Sequence, residues 1–317
     1  MQAPPHAPRH GAHALRRRGG RAWRSTAGGA RRAWTVALAV LAGGGVAATP
    51  ASAVIGGVAE RRDDRPWVVP LAGVCTATLI APDRLLTAGH CITHVRPGST
   101  VVRIGAPRVD HRVAAVARHP RFGYLTDEFP AEPVRDVALV RLAEPVVGVT
   151  PLRVSRGTIR GGSRVRTFGF GTDDADRPGR FGRLRGGAVR VRTVGACRRL
   201  LDRAERGQGR LFRGTLMLCT QGDRRAADDD RPRTSGCHGD SGAPLLRRRG
   251  DGWVVVGVDS WGVACGARDG DPEVYVRIAR EADWATSAEP GWSTVPIRAG
   301  LEAWAGGGSA VQARVGG

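Results

Sequence analysis

Between residues 54 and 277 the apolar residues of this chain come in short runs separated by Gly, Pro and polar residues. Such runs are typical of β-strands, and a content of 46 Gly and 20 Pro suits an all-β protein better than a helical one. The predicted strands are 74–80, 84–88, 100–104, 113–117 and 137–142, followed by 164–169, 188–193, 215–220, 243–246, 253–260 and 274–277. Spacing of this kind predicts barrels or a sandwich without distinguishing them.

The stretch Ser235–Leu245 (Ser-Gly-Cys-His-Gly-Asp-Ser-Gly-Ala-Pro-Leu) contains a candidate nucleophile. Ser241 lies in a Gly-rich turn that can present its hydroxyl outward while the backbone N–H groups of Gly239 and Ser241 point into one cleft. That is the layout of a nucleophile beside an oxyanion hole. Gly-Asp-Ser-Gly alone can equally be a polar turn, so its interpretation depends on partners elsewhere.

Two upstream segments offer those partners. Leu85–Cys91 (Leu-Leu-Thr-Ala-Gly-His-Cys) contains His90, and Arg135–Leu142 (Arg-Asp-Val-Ala-Leu-Val-Arg-Leu) contains Asp136. A Ser hydroxyl is a poor nucleophile at neutral pH and needs a base within hydrogen-bond distance, which an Asp can hold in one tautomer. Taken singly, these residues are also consistent with a satisfied His, a capping Asp and a turn Ser.

Together, in the order His, Asp, Ser, the three motifs resemble the chymotrypsin/trypsin family of serine endopeptidases. Ser-Trp-Gly at 260–262 and Pro-Glu-Val-Tyr at 272–275 add to the resemblance, which covers about 54–285. It implies two six-stranded antiparallel β-barrels with a C-terminal helix and the active site between the barrels. It also implies a triad of His90, Asp136 and Ser241, an oxyanion hole at Gly239 and Ser241, and no metal or cofactor.

The chain has six Cys, an even number that is ordinary in a secreted protein and unusual in a reducing compartment. Counting alone leaves the pairing open, with buried thiols or a metal site as alternatives, although no Cys-x-x-Cys spacing supports zinc. The family resemblance implies three disulfides: Cys75–Cys91, Cys197–Cys219 and Cys237–Cys265.

Residues 1–53 have the pattern of an export signal. Arg clusters at 16–18 and 31–32 precede an apolar run at 33–48 and the small-residue segment 50–53, Pro-Ala-Ser-Ala. A membrane anchor is the alternative, but the run is short for a bilayer and Gly residues at 43–45 interrupt it. We therefore expect a signal peptide over 1–53 and a secreted, extracellular product with no membrane association after signal removal.

Cleavage after residue 53 would leave Val54-Ile-Gly-Gly as the new N-terminus, which resembles the activation sequence Ile-Val-Gly-Gly of the family. In that family the freed α-ammonium pairs with the Asp before the nucleophile, here Asp240, and orders the oxyanion loop and the specificity pocket. The resemblance thus implies that signal peptidase itself makes the active enzyme. Further cleavage or an inactive form is the alternative.

The candidate specificity pocket lacks the direct trypsin signature. In the family, an Asp six residues before the nucleophile selects Arg or Lys at P1, the residue before the cleaved bond, whereas this chain has Ser235 there. Glu273 stands where most relatives have Gly, and Asp259 replaces a small aliphatic residue. A carboxylate in a partly dry pocket favours a basic P1 residue, but Glu273 can also shorten the pocket and favour Leu or aromatic residues. The candidate substrate-binding residues are Ser235, Asp259, Ser260, Trp261, Gly262 and Glu273.

The domain boundaries follow from the resemblance. The first barrel is expected over about 54–148, the second over about 149–276, and a closing helix over 277–287, where Ile278, Ala282 and Ala285 have helical spacing. Residues 288–317 are rich in Gly, Ala and Pro and are predicted to be a mostly disordered tail, with a cell-wall or partner contact as the alternative.

The net charge of +20 comes from 49 basic residues, all of them Arg. This bias indicates a GC-rich genome, and with it a bacterial-type family member, rather than nucleic-acid binding, because no known binding module accompanies the charge. The segment Asp228–Asp230 is interpreted as a solvated acidic loop, with a Ca²⁺ site as the alternative. His94, His111 and His119 follow no motif and are expected at the surface.

The sequence therefore predicts a monomeric protease that acts on proteins or peptides, without nucleic acid, metal or cofactor. A non-catalytic binding protein on a protease scaffold is the competing class. Such proteins usually lack a triad residue, and here His90, Asp136 and Ser241 are all present. An esterase with the same acyl-transfer machinery is a further alternative.

Overall fold

The computed structural model describes residues 54–125, 132–172, 182–223, 233–263, 265 and 271–298. The chain divides into two units, 1–47 and 48–317, and every described residue belongs to the second. The predicted signal peptide, the acidic segment Asp228–Asp230 and residues 299–317 lie outside the described residues. Among the described helices, none has the length and apolar character needed to cross a membrane.

Most of the regular structure is β-strand. The strands of the first half are β1 (Val58–Ala59), β2 (Val68–Leu71), β3 (Cys75–Ala81), β4 (Arg84–Thr87), β5 (Val101–Ile104), β6 (Val109–Arg118), β7 (Gly123–Tyr124), β8 (Pro133–Val134) and β9 (Ala138–Leu142). The strands of the second half are β10 (Arg153–Val154), β11 (Arg164–Gly169), β12 (Arg185–Val191), β13 (Met217–Gly222), β14 (Pro244–Arg249), β15 (Gly252–Gly262) and β16 (Glu273–Arg277). The α-helices are α1 (Val194–Ala204) and α2 (Ala282–Thr286), and short 3₁₀ turns occupy Arg62–Asp64, Cys91–His94, Gln208–Arg210 and Ile278–Arg280.

The first barrel is a six-stranded antiparallel sheet in the order β2-β3-β4-β9-β6-β5. Alternating residues of these strands point inward, and Leu79, Leu85 and Leu139 are fully buried. The pairing of β4 with β9 runs from Arg84 opposite Arg141 to Thr87 opposite Ala138. The residues that follow β4 and those that precede β9 therefore leave the barrel at the same edge.

The second barrel consists of β11 to β16. Its strands follow the order β12-β11-β14-β15-β16-β13, and β12 pairs with β13 to close the ring. Strand β1 adds to β12, and β10 lies parallel to β15. The register of β15 against β16 shifts between Asp259 and Trp261, a bulge that changes which side chains face the site.

The predicted all-β fold with two six-stranded antiparallel barrels is confirmed. The sequence prediction omitted β2, because its Pro70 weakens the strand signal. It also omitted α1, an Arg-rich helix whose N-terminus is capped by the Thr193 hydroxyl, which accepts a hydrogen bond from the Ala196 N–H at 3.3 Å. The closing helix is shorter than 277–287 and consists of a 3₁₀ turn followed by α2.

Residues 288–298 pack on the first barrel, which differs from the disordered tail predicted for 288–317. Val116 and Ser293 exchange two backbone hydrogen bonds, of 2.9 and 2.7 Å. The ring of Trp292 lies between the guanidinium groups of Arg84 and Arg141, at 5.3 and 4.9 Å from its centroid. These cation–π contacts attach the segment to the strands β4 and β9.

Three disulfides join Cys75 to Cys91, Cys197 to Cys219 and Cys237 to Cys265. This is the pairing that the family resemblance implied. The first bridge ties the residue after His90 to β3, and the third ties the turn before Ser241 to the segment after β15.

Candidate active site

His90 and Asp136 lie side by side because their strands are paired. His90 follows the end of β4 and Asp136 precedes the start of β9, so the last pair of this ladder, Thr87 and Ala138, brings the two loops together. His90 Nδ1 lies 2.7 Å from Asp136 Oδ2, and the His90 backbone N–H donates to Oδ1 at 2.8 Å. The structure thus brings together the predicted base and its predicted partner.

Asp136 is a fully buried carboxylate with several donors. Its side chain is 0% exposed, and the hydroxyl of Ser260 donates to Oδ2 at 2.7 Å. Three hydrogen-bond partners compensate for the cost of burying an ionised carboxylate. Ser260, predicted to contact substrate, therefore has its hydroxyl directed at Asp136.

The pKa of His90 is raised above its ordinary value by a balance of effects. Burial opposes the charged imidazolium and lowers the pKa, whereas the charge of Asp136 and the hydrogen bond to it raise the pKa by more. The Nδ1–H donates to Asp136, which leaves Nε2 as the basic nitrogen.

Ser241 lies on a turn that packs against the first barrel. Its carbonyl accepts the backbone N–H of Thr76 on β3 at 2.9 Å. Gly242 has φ +85°, and a Cβ there would lie 2.1 Å from the Thr76 carbonyl oxygen, so only Gly permits this approach. Within the described part of the chain no hydrogen bond joins Ser241 Oγ to His90 Nε2, an open geometry that is common in unliganded sites.

The loop before Ser241 has the form of an oxyanion hole. Gly239 has φ +93°, and a Cβ there would lie 2.8 Å from Gly171 Cα. The His238 carbonyl accepts the Thr172 N–H at 2.7 Å, and the Gly239 carbonyl accepts the Thr76 hydroxyl at 3.0 Å. With the carbonyls held in this way, the backbone N–H groups of Gly239 and Ser241 have no acceptor among the described residues.

The backbone nitrogen of Val54 lies 3.2 Å from Asp240 Oδ2. Val54 is fully buried, and Ile55 forms an isolated β-bridge with Ser235 that leads the chain into the second barrel. The Asp240 carboxylate also accepts the N–H groups of Gly171 at 2.9 Å and Cys237 at 3.1 Å. The predicted activation pair is therefore in contact.

Burial raises the pKa of Asp240 to about 7, although the N–H groups of Gly171, Cys237 and Val54 each oppose this by stabilising the carboxylate. The three backbone N–H groups do not fully offset the cost of burial, so the Asp240 carboxyl group is close to half-ionised at neutral pH. A positive charge on the Val54 nitrogen would favour the ionised form.

The candidate pocket has an acidic side chain between two Gly residues. Ser235 lies at its base with 5% of its surface exposed, and its hydroxyl donates to Glu273 Oε2 at 3.4 Å. A Cβ at Gly236 would lie 2.9 Å from Glu273 Cδ, and one at Gly262 would lie 2.5 Å from Oε2. Glu273 is therefore buried against Gly236, Gly262 and the Ser235 hydroxyl and does not point outward.

Asp259 lies behind Gly236, where a Cβ would be 2.8 Å from Asp259 Oδ2. Asp259 is 2% exposed and lies close to Glu273, whose carboxyl group approaches the same Gly. Trp261, the neighbour of Gly262, is 7% exposed and packs with Cys197, Leu201 and Met217 in the core of the second half. Of the predicted substrate-binding residues, the structure thus brings Ser235, Asp259 and Glu273 together beside Gly236, whereas Ser260 is directed at Asp136 and Trp261 packs in the core.

A second buried cluster, which the sequence analysis missed, supports the loop of Asp136. Glu281 receives hydrogen bonds from Arg135 at 2.6 Å and from His119 Nε2 at 3.0 Å. His119 is 5% exposed, so the expectation of a surface position is wrong; His111, 7% exposed, is buried as well. The sequence signals for this cluster were the His-Pro dipeptide at 119–120 and Glu281 just before α2, but neither of them identifies a partner.

Two groups of potential metal ligands occur among the described residues, Cys75 with His90 and Cys91, and Cys237 with His238 and Cys265. Both depend on sulfur atoms that are engaged in disulfides. Metal binding requires thiolates, which these cysteines do not offer.

A family model described as Trypsin matches residues 54–285. The chain is 32% identical over 248 residues to transmembrane protease serine 9 of Rattus norvegicus, covering 73% of this chain and 21% of that protein. It is 30% identical to transmembrane protease serine 11C of Mus musculus, covering 74% and 53%. It is 28% identical to inactive CLIP domain-containing serine protease A3 of Aedes aegypti, covering 70% and 48%.

The chain thus spans between about one fifth and about one half of the length of these curated relatives. Among solved structures, neuropsin, a serine protease expressed in the limbic system of mouse brain, matches with a TM-score of 0.55 and 26% identity over 72% of this chain and 96% of that one. These relatives come from animals, and they do not support the bacterial-type assignment.

Proposed function

Because the chain belongs to the trypsin family of serine proteases, we propose that it is a secreted endopeptidase that hydrolyses peptide bonds through Ser241, His90 and Asp136. The observation that carries the proposal is the His90–Asp136 pair, with 2.7 Å between Nδ1 and Oδ2, beside the Gly-rich turn of Ser241. A bacterial-type origin remains a prediction from the Arg bias alone.

In this mechanism Ser241 Oγ attacks the substrate carbonyl while His90 Nε2 takes its proton. Asp136 holds Nδ1–H and stabilises the imidazolium that forms. His90 then gives the proton to the leaving amine, and an acyl-enzyme remains on Ser241. Water attacks the acyl group with His90 again acting as base, which restores the enzyme.

The developing oxyanion would be bound by the backbone N–H groups of Gly239 and Ser241. They have no acceptor among the described residues, and their orientation is fixed by the hydrogen bonds of the neighbouring carbonyls. Preorganised donors of this kind contribute about 3 kcal/mol each to transition-state stabilisation in related mechanisms.

We infer that a free α-ammonium at Val54 completes the site by pairing with Asp240. The 3.2 Å contact supports this role, as does the pKa of Asp240, because a buried carboxyl group raised to about 7 gains most from a cation beside it. Removal of residues 1–53 by signal peptidase would produce that ammonium directly.

Glu273 supports a preference for basic P1 residues, since its carboxylate stands between the pocket walls at Gly236 and Gly262. A P1 guanidinium or ammonium group would form a charge-assisted hydrogen bond there. The same position shortens the pocket, so a preference for Leu or aromatic residues is the alternative. The second alternative is a non-catalytic binding protein, and one relative is itself named inactive.

We further propose that the mature product is an extracellular monomer with protein or peptide substrates, without nucleic acid, cofactor or membrane association. Its disulfides support the oxidising compartment. Two relatives are named transmembrane proteases, so a membrane-attached form is the alternative. Fractionation of expressing cells would distinguish them: activity in the medium supports secretion, and activity in the membrane pellet contradicts it.

The experiment that tests the function starts from protein with Val54 at its N-terminus and a peptide library that varies P1. We expect cleavage after Arg or Lys, no cleavage by Ser241→Ala, and loss of the basic preference in Glu273→Gly. Cleavage after Leu or Phe that ignores Glu273→Gly would contradict the pocket assignment. The absence of any cleavage by folded protein with a free Val54 amine would contradict the protease assignment.

A further inference from the structure

Two acidic side chains, Asp259 and Glu273, meet beside the base of the candidate pocket. Both are buried, with 2% and 8% of their surface exposed, and a Cβ on Gly236 would lie 2.8 Å from Asp259 Oδ2 and 2.9 Å from Glu273 Cδ. Two ionised carboxylates that are buried side by side repel each other and lose their hydration, so a proton on one of them is strongly favoured. Where such a pair shares one proton, the protonated carboxyl group donates a hydrogen bond to the other.

Two Gly residues in the surrounding backbone leave room for the carboxyl groups of this pair. A Cβ at Gly236 would collide with both carboxyl groups, and a Cβ at Gly262 would collide with Glu273. Gly262 is also the register partner of Glu273 across β15 and β16. Because Gly occupies both positions, the Glu273 carboxyl group fits between them, and Asp259 lies on the Gly236 side.

The charged groups that face this pair from the neighbouring elements are themselves acids. Asp240 from the Ser241 turn acts on both carboxyl groups, Glu132 acts on Glu273, and the Tyr275 hydroxyl lies on β16 opposite Asp259. Burial, followed by these neighbours, raises the pKa of Asp259 well above its usual range, and burial raises the pKa of Glu273 to about 7. A second negative charge in this cluster is therefore strongly disfavoured.

We propose that Asp259 and Glu273 act as one proton-sharing acid that sets P1 preference: with one proton the pair binds a cationic side chain, and with two it accepts an uncharged one. The proposal rests on the endopeptidase function proposed above. Glu273 contacts the P1 side chain, and Asp259 is a positioning residue that acts through Glu273.

The direction of the pH dependence follows from the sign of the charge. As the pH falls through the neutral range, the pair takes up its second proton and loses the charge that attracts a P1 cation. Hydrolysis after Arg then weakens relative to hydrolysis after Leu. Titration of His90 or of the Val54 amine affects both substrates equally, so it cancels in the ratio of their kcat/KM values.

The test measures kcat/KM between pH 5 and 9 for two peptides that differ only in Arg or Leu at P1. For the wild type, the Arg/Leu ratio should rise about tenfold per pH unit up to about pH 7 and then level off, as for a single ionisation. In Glu273→Gln the ratio should be flat. In Asp259→Ala the rise should move to higher pH, because ionised Glu273 loses the donor that the protonated Asp259 supplies, whereas in Asp259→Asn the amide replaces that donor and the rise should stay close to that of the wild type.

Asp251→Asn is the matched control, since it removes an exposed carboxylate from the turn between β14 and β15 and should follow the wild type. A flat wild-type ratio, or an Asp259→Ala curve that coincides with the wild type, would overturn the proposal while leaving the protease assignment intact. No hydrolysis of either peptide and no phosphonate labelling of Ser241 would instead be a failure of the proposed function.

A second measurement needs no variant. The inhibition constant of benzamidine, a small cation, should weaken about tenfold per pH unit below about pH 7 when measured with the Leu peptide as substrate. An inhibition constant that is independent of pH would contradict the shared-proton pair even if Asp259→Ala does not fold.

Discussion

The two barrels hold buried carboxyl groups in different ways. Asp136, at the edge of the first barrel, accepts hydrogen bonds from an imidazole, a backbone N–H and the Ser260 hydroxyl. Asp259 and Glu273, in the second barrel, lie next to each other, and Glu273 accepts the Ser235 hydroxyl. The first charge is committed to positioning the base, whereas the second is left for a ligand.

Under the proposed function, this difference separates catalysis from specificity within one fold. A buried charge with a complete set of donors is fixed in place and insensitive to the substrate, while a buried acid without a cation gains most when a cation arrives. Each variant described below changes one buried carboxyl group or one of its partners.

The largest effect is expected from Asp136→Asn, which removes the acceptor of the His90 Nδ1–H and favours the wrong tautomer. We expect kcat to fall about 10⁴-fold, which is the magnitude measured for the same substitution in the archetypal triad of the family. Steady-state kinetics on one good peptide measure it. A loss below about tenfold would show that His90 is oriented by other groups.

The next effect concerns the Val54–Asp240 contact. Protein that carries one extra residue before Val54 cannot place a charged ammonium at this position. Its kcat/KM should be about 10²- to 10³-fold lower, because breaking a buried ion pair costs a few kcal/mol.

For protein that begins at Val54, activity should also fall at alkaline pH as the amine deprotonates. Equal activity of the two forms, with no alkaline decline, would contradict the activation pair.

A smaller effect is expected on stability. Glu273 has its pKa raised from 4.5 to about 7 in the folded state, so it favours folding most at low pH, and this contribution is lost as the pH rises through that range. In urea unfolding of the Ser241→Ala variant, the free energy of unfolding should therefore decline by as much as about 3 kcal/mol between pH 4.5 and 7.

The matched comparison is the same protein with Glu273→Gln added, which should show a shallower decline. Parallel curves for the two proteins would mean that Glu273 does not titrate in this range.

The smallest effect is expected from Ser260→Ala, which removes one of the donors to Asp136 and leaves the imidazole contact. The loss of a hydrogen bond to a charged group predicts a decrease in kcat of about tenfold, with P1 preference unchanged. A change in the Arg/Leu ratio would show that Ser260 acts on the pocket as well as on the triad.

The sequence motifs predicted those parts of the site that depend on local spacing. His90, Asp136 and Ser241 each sit in a recognisable segment, and the strand runs around them predicted the β-fold. The prediction was weaker where a contact joins distant residues with no motif. Glu281 meets His119 and Arg135 although they are far apart in the sequence, and Asp259 and Glu273 meet through the pairing of β15 with β16.

Local propensity also misled at two places. Pro70 concealed β2, and the Gly and Pro of 288–298 suggested disorder although Trp292 attaches that segment through Arg84 and Arg141. In both cases long-range packing overrides the local preference of the chain.

The central claim is that Ser241 is a nucleophile activated by His90, and covalent labelling tests it most directly. Protein that begins at Val54 would be treated with an excess of a fluorophosphonate, and the adduct located by peptide mass mapping. The account predicts one adduct per chain, on Ser241, and a labelling rate that falls sharply in His90→Ala. Folded protein that remains unlabelled, or that is labelled at another residue, would contradict it.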